Sequence, residues 1–125
     1  LGACNFDAVY NSNDSAVKEM NMKLAEYTKA VLDGRPHFHV SLAIEISPYC
    51  DCHPENDTPI LPNIGMFASF DPVALDQACV DAVYRSPDPG KAALIERIES
   101  RNGIHTVEAA EALGLGSRSY ALVAI

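Results

Sequence analysis

Cys50-Asp51-Cys52-His53 places two thiols, a carboxylate and an imidazole within four residues, and Glu55 and Asp57 follow closely. Thiolates suit zinc, iron or an iron–sulfur cluster, and imidazole suits zinc and iron. A Cys-x-Cys pair reaches one metal where the backbone turns sharply. The usual zinc and cluster motifs space their cysteines as C-x₂-C, and no second ligand pair follows downstream. The same residues therefore read in two ways. One is a metal or redox site built on Cys50, Cys52, His53 and Asp57. The other is a tight Pro-rich turn whose cysteines only pack.

Asp76 shares a helical stripe with Val73, Val80 and Val83, so it is expected to face the interior. A carboxylate there needs partners, because unpaired burial is costly. It can ligate a metal or anchor the Cys50–Asp57 loop. It can equally sit near a helix N-terminus, where the macrodipole favours negative charge. Asp71 reads as a helix cap. His37, His39 and Glu45 fall on the polar side of one alternating segment. Two histidines at i, i+2 can share a metal, or can be ordinary side chains on a solvated face. Cys79 groups with Leu75, Ala78 and Ala82 and reads as a core thiol. Gly114-Leu115-Gly116-Ser117-Arg118 follows a helix instead of opening one, so it lacks the geometry of a phosphate loop.

Cys4 is read with its neighbours Asn5 and Ala8-Val9. In the ferredoxin motif C-x₂-C-x₂-C-x₃-C the last cysteine stands four positions after the third. A cysteine just ahead of Leu1 would meet that spacing, so Cys4 is expected to be the last ligand of a cluster motif. The plain alternative is an exposed thiol near a terminus.

The elements that must position these residues follow from periodicity. Asn11 to Ser15 reads as a loop and N-cap. Val17, Met20, Leu24, Tyr27 and Val31 recur at steps of three and four, predicting a helix from Ala16 to about Asp33. Gly34 and Pro36 stop it. From His37 to Ile46, Phe38, Val40, Leu42, Ile44 and Ile46 alternate with polar or small residues, which predicts a strand with its apolar face in the core. Residues 47–63 hold four prolines and form a long, rigid loop. Ile64–Phe70 reads as a second strand. Asp71-Pro72 opens a helix to about Arg85. Further helices are expected over Lys91–Arg101 and Val107–Leu113, the last with Thr106 as a possible cap. A terminal strand is expected over Tyr120–Ile125. Helices interleaved with few strands predict one α/β domain, a small mixed sheet with helices packed on it.

The chain has 125 residues, enough for one domain. Hydrophobic residues at 48% and charged residues at 21% support a core and argue against disorder. Nine Lys and Arg against 17 Asp and Glu give −8, with no basic cluster, which argues against nucleic acid and anionic lipid as partners. No apolar run approaches the roughly 20 residues of a membrane span, and LGACNFDAVY lacks the pattern of a secretory leader. Four cysteines in a chain that is not Cys-dense suggest a reducing, cytoplasmic setting.

The run Ile46 to His53, then Asn56 to Gly65, then Ser69 to Asp76, resembles the domain of unknown function 362 family. The helix segment Met22 to Tyr27 and the closing Gly114 to Tyr120 are similar to it as well. The resemblance covers about residues 18–125. It implies an iron–sulfur context, since many members carry a ferredoxin-like insertion just upstream. Residues 1–14 are then the tail of a preceding iron–sulfur segment and residues 15–125 a single domain, the C-terminal part of the family. A 4Fe–4S cluster is expected in the intact protein, with Cys4 as one ligand, and a metal ion at the Cys50–Cys52 loop is possible. The expected partners are the upstream iron–sulfur module of the same polypeptide and a redox partner protein. Three functions stay open. They are a redox or electron-transfer protein, a non-catalytic scaffold domain, and a metal-dependent enzyme using Asp57 and Asp76 with the cysteines.

Overall fold

The computed structural model describes residues 15–49 and 58–125. Four helices pack on a two-stranded sheet, forming a single mixed α/β domain. The elements are α1 (Ser15–Leu32), β1 (His39–Ala43), β2 (Gly65–Ser69), α2 (Pro72–Arg85), α3 (Lys91–Ser100) and α4 (Ile104–Ala112). The strands are antiparallel, with His39 opposite Ser69, Ser41 opposite Phe67 and Ala43 opposite Gly65.

Several boundaries follow from local chemistry. Gly34 takes a left-handed φ of 67° and closes α1. The Asp71 carboxylate accepts the Ala74 amide at 2.9 Å, and Pro72 occupies the first turn, so α2 starts where a cap and a proline require. β1 stops at Ala43, earlier than the alternation implies, because Glu45 adopts a left-handed φ of 49°. Its amide is held there by the Asn63 side chain at 2.9 Å. Ile46 and Ile60 are also joined, as are Ala43 and Ile64, so the two strands narrow into a hydrogen-bonded neck. α4 begins at Ile104 behind Gly103, ahead of Thr106. Residues 120–125 form no strand: Tyr120 is bonded to Asp81 of α2, and residues 121–125 are exposed and join no backbone ladder.

The core is not where periodicity alone puts it. Val73, Leu75, Ala78 and Val83 of α2 are buried, with Ala25, Leu61 and Val107. The apolar side of β1 is open: Val40 is 54%, Leu42 59% and Ile44 43% exposed. The expectation that this side forms the core is therefore corrected. α2 instead covers the side bearing His39, Ser41, Ala43, Gly65, Phe67 and Ser69. Ser41, Ala43, Gly65 and Ser69 on that side are small and let a helix approach closely. The α1 stripe behaves likewise. Met20, Leu24, Tyr27 and Val31 are exposed, while Asn21 and Ala25 are buried and α1 packs on α4. Asn21 donates to the Arg101 and Asn102 carbonyls at 3.2 and 2.9 Å, which satisfies its buried amide. Lys29, one turn beyond Ala25, donates to the Leu113 carbonyl.

Candidate functional site

The open sides of α1 and β1 meet in a groove of about 710 Å³. α1 supplies Leu24, Tyr27 and Val31; β1 supplies Phe38 and Val40. The groove runs along an edge of β1 that no described strand pairs. On the open face beyond it, Phe38 and Phe70 stack edge to face at 5.0 Å.

One end of the groove is polar. Asp76 of α2, His39 and Ser41 of β1 and Thr28 of α1 converge on it. Asp76 is not interior: it stands in the groove wall, open to the groove, and the expectation from its helical stripe is corrected. The stripe is real, but Asp76 lies at its margin beside β1. Surrounding protein strips water from the carboxyl and raises its pKa, while the His39 imidazole pulls it partway back. His39 Nε2 lies 2.9 Å from His37 Nδ1. Deeper along α2, Cys79 is a half-buried free thiol. Burial pushes its pKa up, and a hydrogen bond with the Ser41 hydroxyl opposes that rise.

The other candidates separate. Cys4, Cys50, Cys52, His53 and Asp57 lie outside the described residues. Among the described residues no three His, Cys, Asp or Glu side chains gather in a way that could hold a metal ion. Nor do the described residues fit an iron–sulfur cluster, which takes four thiolates. They offer one thiol, Cys79, kept protonated by its surroundings. Glu45 sits past the end of β1 and does not join the histidines.

Asp71 does more than cap α2. Its second carboxylate oxygen accepts the Ser117 amide at 2.8 Å. A Cβ on Gly116 would overlap the carboxylate, so glycine lets the side chain keep this position. Arg118 Nε then donates to Gln77 at 2.8 Å and the Tyr120 hydroxyl to Asp81 at 2.7 Å. The Gly116–Tyr120 segment is thus a strap along α2 and no anion site. Sequence reading missed this role for Gln77, Asp81, Arg118 and Tyr120. The available signal was the four-residue spacing of Gln77 and Asp81 on one helix face.

No helix among the described residues is long and apolar enough to cross a membrane. No curated protein and no solved structure matches the chain. A family model described as Domain of unknown function (DUF362) matches residues 5–81. The match takes in the α1 segment Met22–Tyr27 and the run from Ile46 to Asp76, and stops short of the strap. With more than half of its residues matched, the chain belongs to the DUF362 family.

Proposed function

We propose that this chain is the docking domain of an iron–sulfur redox protein, holding a cluster-bearing module of the same polypeptide against its open apolar side. The observation that carries this reading is the pairing of two exposed apolar faces, the α1 stripe and the sheet. Contiguous apolar surface rimmed by polar residues marks an interaction site. The unpaired edge of β1 adds main-chain donors and acceptors to which a further strand can bond. The chemistry then belongs to the partner module, with Cys4 as one ligand of its 4Fe–4S cluster. A redox partner protein exchanges electrons with that module. The free thiol of Cys79 accords with a reducing, cytoplasmic setting.

The test uses the longer polypeptide produced without oxygen, with iron and sulfide counted and visible absorbance recorded. Cys4→Ala should lower bound iron and bleach the cluster absorbance. Val40→Lys with Leu42→Lys should loosen the module and speed cluster loss in air. Full iron in the Cys4 variant sinks the cluster assignment. Unchanged cluster lifetime in the double-lysine variant sinks the docking role.

A further inference from the structure

His37 precedes β1 and His39 opens it, so a period of two puts both rings on the side of the strand turned toward α2. The ring centroids are 4.9 Å apart and the planes tilt by 54°. His37 Nδ1 and His39 Nε2 approach to 2.9 Å, so one nitrogen donates its N–H to the lone pair of the other. From this geometry we infer that His37 and His39 form a two-nitrogen chelate for a divalent transition metal of the copper(II) or nickel(II) class.

The ligand type selects the metal class. Two imidazoles completed by oxygen donors make a nitrogen and oxygen site, for which divalent affinities rise through nickel(II) to copper(II). A modest turn of each ring about χ2 aims both lone pairs at one point. The donor ring moves its proton through water to its other ring nitrogen, so both imidazoles bind as neutral ligands, each with one N–H. No third His, Cys, Asp or Glu among the described residues is already gathered there. The remaining positions are therefore filled by water or by a ligand in the groove, which His39 lines. Asp76 lines the same groove as His39. The chelate does not depend on the cluster reading. It concerns different residues and can be loaded in the chain as it stands.

The test is a calorimetric titration of the 125-residue chain with Ni²⁺, alongside His37→Asn, His39→Asn and His53→Asn. All are made in a Cys50→Ser, Cys52→Ser background, which removes the thiolates that would compete for Ni²⁺, and the last variant controls for the imidazole beside them. One site is expected. Its affinity should fall at least about tenfold on loss of either strand histidine, a full pairwise contribution in free energy, and stay unchanged in His53→Asn. Broadening of the His37 and His39 ring signals by Ni²⁺ in nuclear magnetic resonance is the second readout. Absence of saturable binding, or affinity unchanged in His37→Asn, overturns the inference. Should His39→Asn fail to fold, His37→Asn decides alone, because His37 lies outside the strand.

Discussion

Asp76 shows how one side chain ties pH to stability. Its pKa is higher in the folded chain than in the unfolded one, so the folded state binds the proton more tightly. Protonated Asp76 therefore favours folding. That contribution is lost as pH rises from the ordinary carboxylate range through the raised value. Asp76→Asn should be more stable than the parent at neutral pH, and urea melts should show the gain vanishing near about pH 3, where the parent is protonated too. A gain that persists in acid would mean that the asparagine makes a new contact. Cys79 yields a parallel expectation. Its thiol is held in the protonated form, so alkylation by iodoacetamide should be slower than for a free cysteine and rise sharply in denaturant. At this scale much was legible. Asp71 followed by Pro72 announced a cap and a first turn, and Cys79 among Leu75 and Ala78 announced a thiol against the core. The Ser117 amide on Asp71 was not legible, because no local pattern links residues so far apart in the chain.

Helices and strands were legible by period, and the sides they bury were not. Alternation over Phe38–Ile46 establishes that a strand has two unlike sides, but not which side a neighbour covers. Here the covering helix sits on the small side chains, Ser41, Ala43 and Gly65, where its axis can come close. Likewise the buried side of α1 carries Asn21 and Ala25, small residues of which the one amide finds two carbonyls in the turn before α4. The consequence is measurable in this chain. Val40→Lys and Leu42→Lys should each change unfolding free energy by no more than about 0.5 kcal/mol, as surface substitutions do. Leu75→Ala, in the buried side of α2, should cost about 2–5 kcal/mol. Chemical denaturation of the three variants ranks them, and a large loss for either lysine would mean that the open side is covered in solution. The strand expected over residues 120–125 failed for a related reason. Its residues are an unbroken apolar run, but Tyr120 is bonded to Asp81 of α2 and residues 121–125 are exposed with no strand beside them.

At the scale of the whole molecule, apolar surface is distributed unevenly. α2 draws the buried core around itself, while α1 and the sheet turn large side chains outward, among them Tyr27 at 72% and Phe70 at 75% exposed. An acidic chain with such a face is expected to bind a hydrophobic dye in its native state and to self-associate as salt screens its charge of −8. Sedimentation at low and high salt checks this, and the double-lysine variant should remain monomeric where the parent does not.

The shared carboxylate of Asp71 couples two distant stretches of chain in time as well as in space. One oxygen holds the Ala74 amide in the first turn of α2 and the other holds the Ser117 amide in the strap. Neither stretch can open without loosening the other, so their amides should exchange with deuterium as one cooperative unit. In Asp71→Ala the two protections should collapse together, with a loss of about 1–2 kcal/mol that is typical of a removed cap. Gly116→Ala should reproduce the same pairing from the opposite side, since a methyl group there drives the carboxylate away from both amides at once.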